Sequence, residues 1–208
     1  MRADPLGENA YILRDLGAPA HLVAQWLNAE RPEGVIEAIA SYDSVGLFTQ
    51  RDFDLASLQL PEGFPEGEPR IHLIPVCYEL GEDLEETAKR LGMTPDQLAA
   101  CHASRDYTCF AVGFCPGFGY LGYLPEAMQG IPRRKSPRTR VEAGSVGITG
   151  KQTAVYPLPR PGGWALIGRT PLTLVDVADQ YFPIQAGDTI RFERIGLEDF
   201  RSLEGEWL

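Results

Sequence analysis

The first 80 residues contain several short apolar segments and one longer amphipathic segment. Apolar side chains recur at helical spacing between residues 20 and 29, and Pro19 stands directly before them, where a helix tolerates proline. The flanking apolar runs are short and contain β-branched residues, which is typical of strands. The pattern predicts strands at 11–14, 34–41, 45–49 and 71–78 and a helix at 20–29, and it permits a second helix at 52–60.

Residues 61–69 interrupt this pattern. The segment holds three prolines and two glycines in nine residues, so it is neither a helix nor a central strand. It is a linker or a long exposed loop. We therefore expect a small α/β unit over residues 1–80 and a second domain over residues 81–208.

Beyond residue 81 the chain shows helical spacing first and then only short β-rich runs. Thr94, Pro95 and Gln97 form a capping box with proline in the first turn, which indicates the start of a helix. Glycine and proline separate the later runs about every 8 to 12 residues, as in a β-barrel or a β-sandwich. Helices are predicted at 83–91 and 94–104, a short turn at 126–129, and strands at 107–113, 144–149, 154–157, 163–168, 173–177 and 189–195.

The charge balance removes one class of partner. Lys and Arg total 19 and Asp and Glu total 29, which gives a formal net charge of −10. A general nucleic-acid binder needs a basic surface that displaces counterions from phosphates, so we expect no nucleic-acid partner. Apolar residues make up 44% and charged residues 23%, as in ordinary globular domains, which excludes a wholly disordered chain.

Signals for export or membrane insertion are not recognisable in the sequence. No apolar run approaches the roughly 20 residues of a membrane helix, and the first nine residues lack a basic-then-apolar pattern. We therefore expect a cytoplasmic protein without a membrane partner. Its cysteines are then predicted to be free structural thiols, and no metal site is predicted because they form no C-x-x-C pair. The cysteines are Cys77, Cys101, Cys109 and Cys115.

The densest motif is the segment 113–125, which is rich in glycine and aromatic residues. It contains a formal G-x-G-x-x-G at 117–122, but Pro116 precedes this motif and Pro125 prevents a long helix behind it, which disfavours a dinucleotide site. We interpret the segment as a rigid loop whose aromatic side chains either line a pocket or pack on the core. These side chains are Phe114, Phe118, Tyr120 and Tyr123.

A second glycine-containing segment, 145–152, resembles a phosphate-binding loop only at first sight. Ser145 stands in place of the first glycine, and Gln152 stands in place of the Ser or Thr that would bind magnesium. Both flanks have the pattern of strands, so no helix N-terminus is available. We predict a β-hairpin with Lys151 and Gln152 at its end.

Residues 131–140 place five basic side chains within ten residues of an acidic protein. Two prolines stiffen this segment, and arginine can bind a carboxylate or a phosphate through two parallel hydrogen bonds. The segment is either an anion-binding loop or a solvated loop that balances nearby acids. Its candidate ligands for an anion are Arg133, Arg134, Arg138 and Arg140.

Three other side chains leave alternatives open. Trp164 is most simply a core residue, and Arg169 is either a pocket cation or half of a buried pair. A Cys–His dyad for covalent catalysis would require His102 to reach Cys109 or Cys115. A histidine in this position is more often a structural residue.

Several of these segments form an ordered series: IPVCY at 74–78, GFCPGFGYL at 113–121, PRR at 132–134, AGSVG at 143–147, PGGW at 161–164 and IGRTP at 167–171. The series resembles the family of the 5-oxoprolinase B subunit, also called allophanate hydrolase subunit 1. That family includes the inhibitor of a sporulation histidine kinase and the carboxyltransferase-type domain of urea carboxylase. Each motif is weak alone, and the set is specific.

The resemblance implies an α+β protein in which a small N-terminal α/β sandwich domain is followed by a cyclophilin-like β-barrel domain. It implies that the chain is the B subunit of an ATP-dependent 5-oxoprolinase, which hydrolyses 5-oxo-L-proline to L-glutamate together with the A and C subunits. ATP is then a co-substrate of the complex, and no covalently bound cofactor is implied. We expect the isolated chain to be inactive.

Opening a lactam at neutral pH requires activation, and phosphorylation of its carbonyl oxygen by ATP provides it. Such a site needs cations and fixed hydrogen-bonding groups, and it lies within this chain or is shared with the C subunit. The predicted catalytic residues are His102, Arg138, Lys151 and Gln152. The predicted substrate-binding residues are Phe114, Pro116, Gly117, Tyr120, Arg133, Ser145, Tyr156 and Arg169.

The same resemblance allows two other functions. A regulatory module that inhibits a sensor histidine kinase would use the aromatic loop to bind protein and would need no ATP. A component of an allophanate hydrolase or urea amidolyase is the other alternative, and its carboxylation step would need a biotin carrier on another protein. Cys115 and Gly119 depart from the family's usual residues on the pocket loop, so the substrate stays open.

Overall fold

The computed structural model describes residues 1–65 and 70–208. The chain divides into two compact units, Met1–Pro69 and Arg70–Leu208. Each unit has its own β-sheet, so each is described separately.

The first unit is a four-stranded antiparallel sheet with one helix packed on it. Helix α1 buries Leu22, Val23 and Leu27, the apolar side chains whose spacing predicted it. The Asn28 side chain both donates to and accepts from the backbone of Ala38 and so ties the helix to the sheet. The elements are β1 (Arg2–Pro5), β2 (Ala10–Arg14), α1 (Ala20–Glu30), β3 (Val35–Ser41) and β4 (Ser44–Thr49), with strand order β1-β2-β4-β3.

The second helix that the sequence permits at 52–60 does not form. The structure has only a 3₁₀ turn at Leu55–Ser57, where the Asp54 carboxylate accepts the N–H of Ala56. Leu58 is the only fully buried residue of the segment, so an α-helix here would have no apolar face to bury. Residues 61–65 are irregular, as expected for either a linker or an exposed loop, and residues 66–69 of the same segment lie outside the described residues.

The second unit is built on a seven-stranded sheet in the order β12-β9-β10-β7-β6-β13-β5. Neighbouring strands are antiparallel except β5 and β13, which run parallel. Strands β8 and β11 form a separate two-stranded ribbon. The strands are β5 (Ile71–Val76), β6 (Asp106–Val112), β7 (Gly119–Gly122), β8 (Arg138–Val141), β9 (Ser145–Thr149), β10 (Gln152–Val155), β11 (Arg160–Gly162), β12 (Ala165–Arg169) and β13 (Thr189–Arg194).

This sheet curls until its two ends meet, which makes it a nearly closed barrel. Cys77, just after β5, and Arg169, at the end of β12, exchange backbone hydrogen bonds of 2.9 and 3.0 Å. Gly81 permits the close approach, because a side chain there would overlap the backbone of Ile167. The structure therefore confirms the coarser part of the prediction, namely a mixed α/β fold with a barrel-like sheet.

Strand β5 pairs along its whole length with β13, from Ile71 opposite Thr189 to Val76 opposite Arg194. The sequence-based division at residue 80 placed this strand with the N-terminal segment. Its hydrogen bonds place it in the sheet of the second unit, which accordingly begins at Arg70.

Three helices accompany the barrel in the described part of the second unit. They are α2 (Leu84–Leu91), α3 (Pro95–His102) and α4 (Leu197–Ser202). Helix α3 begins with the predicted capping box of Thr94 and Gln97, and α2 ends at Gly92, whose φ of 68° is readily adopted by glycine. The prediction of only β-rich runs in the later part of the chain was wrong at α4, which is six residues long and has no side-chain cap to mark it. None of the helices in the described residues is long and apolar enough to cross a bilayer.

Four strands were missed and one was wrongly predicted. Strand β1 has a proline and charged residues in place of an apolar pattern, and β8 and β11 lie in proline- and arginine-rich stretches. Strand β7 lies within the glycine-rich segment that was interpreted as a loop throughout. The predicted strand 173–177 forms only isolated bridges at Thr173 and Asp176. The Asp176 carboxylate accepts the N–H groups of Ala178 and Asp179, which turns the chain away from a ladder.

Candidate functional site

A cavity of about 340 Å³ opens on the second unit between the 114–120 segment, the basic loop and the PGGW turn. We call it the aromatic pocket. Its lining combines aromatic rings with two arginines. It is lined by Phe114, Phe118, Tyr120, Arg133, Arg134, Pro137, Tyr156, Pro161, Gly162, Gly163 and Trp164.

Phe118 is the centre of the aromatic floor. Its ring meets Phe114, Tyr120, Tyr156 and Trp164 edge to face, with ring centroids 5.0 to 5.6 Å apart. Phe118 is buried, whereas Phe114 is 59% exposed and stands at the mouth. Such a mutually packed set presents a preformed apolar wall. Phe114, Phe118 and Tyr120 therefore pack together and also line a pocket, whereas Tyr123 does not line it and contacts Phe110 instead.

The turn before Phe118 depends on a glycine. Gly117 has a φ of +74°, and a side chain there would overlap Val175. Gly162 is restricted in a similar way, because a Cβ atom would lie 2.5 Å from the Tyr156 hydroxyl oxygen. These glycines let the backbone pack closely around the floor of the pocket.

Tyr156 is buried, and burial raises the pKa of its phenol. The phenol therefore stays protonated at neutral pH. Arg133 and Arg134 supply the positive charge of the lining. In the described residues the lining holds no carboxylate, histidine or thiol, so it can bind an anion but offers no general base.

The basic loop is held by one buried carboxylate, Asp83, which lies directly before α2. Its Oδ1 accepts a 3.1 Å hydrogen bond from Nη1 of Arg134 and a 2.7 Å bond from Nη2 of Arg138. Its Oδ2 accepts the backbone N–H of Leu166 at 2.8 Å. The Arg134 N–H also donates to the carbonyl oxygen of Gly163 at 2.7 Å. The sequence offered no signal for this role of Asp83.

Arg133 faces the aromatic pocket, whereas Arg138 is paired with carboxylates away from it. Arg138 donates to Asp83 and Glu82, is mostly buried and does not line the aromatic pocket. Arg133 is exposed, lines the pocket and forms no ion pair with any described residue. Its guanidinium is the cation available to a ligand.

The structure brings together half of the predicted substrate-binding residues. Phe114, Tyr120, Arg133 and Tyr156 line the aromatic pocket. The other four lie elsewhere, and each has a structural place. Pro116 is exposed on the loop, Gly117 forms its turn, Ser145 is buried at the start of β9, and Arg169 donates to the carbonyl oxygen of Ala143.

His102 lies in the core and not at the pocket. Its Nδ1 is 2.7 Å from the Tyr78 hydroxyl and its Nε2 is 2.8 Å from Oγ1 of Thr153. Thr153 donates its own proton to the Gly147 carbonyl oxygen, so it accepts from Nε2–H and Nδ1 accepts from Tyr78. Burial lowers the pKa of His102 to about 3 and keeps the ring neutral.

A Cys–His dyad is not formed, because both nitrogens of His102 contact oxygen atoms. The Cys109 thiol points to the Ala111 carbonyl oxygen, and burial raises its pKa to about 12. Burial also raises the pKa of Cys115, which is packed in the aromatic cluster with Phe118. All four cysteines are free in the structure.

Lys151 lies in the turn of the predicted hairpin between β9 and β10, and Gln152 is the first residue of β10, opposite Thr149. Lys151 is exposed and Gln152 is partly buried, and neither lines the aromatic pocket. Trp164, predicted as core, is buried and also forms part of the pocket wall. Six further residues of the lining were not among the predicted substrate-binding residues: Phe118, Arg134, Pro137, Pro161, Gly162 and Gly163.

The chain belongs to the family described as carboxyltransferase domain, subdomain C and D, whose model matches residues 2–184. The predicted family is thereby confirmed.

The relatives of this chain carry a more specific name. The chain is 34% identical to the 5-oxoprolinase B subunit of Bacillus subtilis (strain 168), over 98% of this chain and 96% of that protein. It is 40% identical to the protein of the same name from Escherichia coli O157:H7, over 90% and 93% of the two chains.

Solved structures agree on the fold. The crystal structure of TTHA0988 matches with a TM-score of 0.79 and 34% identity, over 89% of this chain and 40% of that one. The present chain thus spans about two fifths of TTHA0988. The Kluyveromyces lactis urea amidolyase matches with a TM-score of 0.70 over 97% of this chain and 15% of that one. Its identity is 15%, so this likeness shows the fold alone.

Proposed function

We propose that this chain is the B subunit of an ATP-dependent 5-oxoprolinase, which hydrolyses 5-oxo-L-proline to L-glutamate together with the A and C subunits. The observation that carries the proposal is the match over nearly the full length of both chains to relatives of that name, at 34% to 40% identity. ATP serves as co-substrate of the complex. The cyclophilin-like character of the barrel and the two-domain arrangement are parts of the same proposal.

The aromatic pocket suits a small lactam acid. The substrate ring is compact and presents a flat amide face, which can pack against the rings around Phe118. Arg133 at the rim can pair with its carboxylate through two hydrogen bonds. The apolar wall excludes water from one side of the ring, which strengthens the pairing with the guanidinium.

The reaction needs one activation step before the ring opens. The lactam oxygen attacks the γ-phosphorus of ATP, the bond from that phosphorus to the β-phosphate oxygen breaks, and ADP leaves with the electron pair. Water then adds to the activated carbon, the C–N bond breaks to free the amine, and a second water releases phosphate to leave glutamate. Arginine stabilises the charge on the transferred phosphoryl group.

The described lining of the aromatic pocket does not supply every group that this chemistry requires. Proton removal from water needs a base, and the titratable groups of this lining are arginines and tyrosines. We therefore assign the base to another chain of the complex, which completes the site on assembly. This supports the expectation that the isolated chain is inactive.

The direct test is ATP-dependent release of glutamate from 5-oxoproline by this chain purified with homologues of the A and C subunits. We expect glutamate only when all three chains are present. Omission of each chain in turn is the control, and size-exclusion chromatography establishes that the complex has assembled. Turnover by the other two chains without this one, or no turnover from a folded and assembled complex, would contradict the proposal.

Replacing Arg133 with alanine is expected to lower kcat/KM for 5-oxoproline by about 10- to 100-fold, because a charge-assisted pair at the pocket is lost. Stability should change little, since this side chain is exposed and forms no ion pair with a described residue. Arg140→Ala is the matched control. Arg140 belongs to the same basic segment but pairs with Glu142 and does not line the pocket. Equal losses in both variants would show that overall charge, not the pocket, matters.

A further inference from the structure

A second cavity, of about 460 Å³, adjoins the aromatic pocket and shares Arg133 and Arg134 with it. We call it the cationic cleft. One wall is helix α2 and the other is the basic loop. Its charged lining consists of Asp83, Glu86, Arg90, Arg133, Arg134 and Lys135.

The charges of the cleft do not cancel. Asp83 is already engaged by Arg134 and by Arg138 behind it. Glu86 is then the only other carboxylate in the described lining, whereas Arg90, Arg133 and Lys135 form no ion pair with a described residue. A local positive excess in a chain of net charge −10 is a site for an anion that carries several charges.

Two of these cations, Arg133 and Lys135, lie on the basic loop, whose backbone is held at Ile131 and at Arg134. Gly150 donates to the Ile131 carbonyl oxygen at 2.7 Å, and the Thr149 hydroxyl donates to the same oxygen at 3.1 Å. Further along the loop, the Arg134 N–H bonds Gly163 and its guanidinium bonds Asp83. A solvated loop would not need these anchors, and preorganised cations lose less entropy when an anion binds.

We propose that the cationic cleft binds the polyphosphate chain of a nucleoside triphosphate. Arg90 and Lys135 contact the phosphates, and the cleft meets the aromatic pocket at Arg133, so the terminal phosphoryl group lies beside the pocket that holds the acceptor. The assignment of the acceptor to the aromatic pocket rests on the proposed function, and the polyphosphate site itself rests on the geometry and charge of the cleft. One phosphorus–oxygen bond forms to the lactam oxygen as the bond to the β-phosphate oxygen breaks.

The first experiment measures binding of inorganic tripolyphosphate to the full chain by isothermal titration calorimetry. We expect saturable binding that weakens with rising salt and that ATP displaces. Arg90→Ala and Lys135→Ala should each weaken it at least about fivefold, because each removes one phosphate contact. Arg140→Ala, which removes the same charge outside the cleft, should weaken it less than about twofold. Circular dichroism establishes that the variants are folded.

Absence of saturable binding, equal weakening in all three variants, or failure of ATP to displace tripolyphosphate would each overturn the assignment. The second experiment uses the assembled complex. There, Arg90→Ala and Lys135→Ala should raise KM for ATP while KM for 5-oxoproline stays within about twofold. Tripolyphosphate binding without turnover would refute the proposed function and leave the polyphosphate site standing. Turnover with an unchanged KM for ATP would refute the polyphosphate site and leave the proposed function standing.

Discussion

Replacing Asp83 with alanine is expected to destabilise the second unit by about 3 to 5 kcal/mol, the usual cost of removing one partner from a buried ion pair. The Asp83 side chain is 8% exposed and serves two guanidinium groups and one backbone N–H. Its loss leaves Arg138 charged and largely buried, and it leaves the N–H of Leu166 without its acceptor. The measurement is urea unfolding, with the midpoint and slope compared between parent and variant.

Asp83→Asn separates the two contributions. The amide oxygen can still accept the Leu166 N–H, but the charge that pairs with Arg138 is gone, so an intermediate loss of stability is expected. The double variant Asp83→Ala with Arg138→Met should recover part of the loss, because no buried charge is left unpaired. An Asp83→Ala variant within about 0.5 kcal/mol of the parent would refute this account.

The second large effect concerns acid stability. His102 is neutral in the folded chain with a pKa of about 3, whereas an unfolded histidine has a pKa of about 6.5. Between these values the unfolded state binds a proton that the folded state does not. Stability is therefore fully present above about pH 6.5 and falls as pH drops toward 3, by as much as about 1.4 kcal/mol per pH unit from this group.

His102→Gln removes the titrating ring and keeps a side chain that can hydrogen-bond to Tyr78 or Thr153. The variant is expected to be less stable at about pH 7.5, yet the gap to the parent should shrink steadily as the pH falls from about 6.5 to 4. Urea unfolding at several pH values measures both curves. The carboxylates and the other two histidines titrate in both proteins, so they cancel in the difference. Parallel curves would show that His102 does not cause the acid sensitivity.

Local signals in the sequence were sufficient for much of the fold. The capping box at Thr94 and the apolar spacing of α1 depend on neighbours within a few residues, and both helices form as predicted. Strand β7 could not be found in this way. Its glycines at 119 and 122 are typical of a loop, and they are accommodated because Cys109 and Phe110 of the neighbouring strand pack closely against them. That reason exists only in the assembled sheet.

At the candidate site, too, local sequence identified some residues, whereas the positions of others depend on contacts in the folded chain. Residue type and proximity in sequence identified Phe114, Tyr120 and Arg133 correctly as pocket residues. They could not show that Arg138, five residues beyond Arg133, turns to Asp83 instead.

His102 was misplaced for a related reason. A histidine near the end of a helix can face solvent or the core, and local sequence does not distinguish the two. Its burial here depends on Phe192 and Tyr107, which come from other strands. Tyr107 lies only five residues further along the chain, but Phe192 lies 90 residues away, so its contact forms only when distant parts of the chain meet.

The parallel pairing of β5 with β13 has a consequence for synthesis on the ribosome. Strand β5 begins at Ile71, and its ladder partner β13 begins at Thr189, 118 residues further along the chain. A nascent chain therefore carries an incomplete barrel until residues 189–194 have emerged, with Ile74 and Val76, which the complete barrel buries, on an unpaired strand. Contacts this far apart in sequence close slowly. The barrel is thus completed only after β13 has been synthesised, and until then β5 is an apolar edge for chaperones to protect.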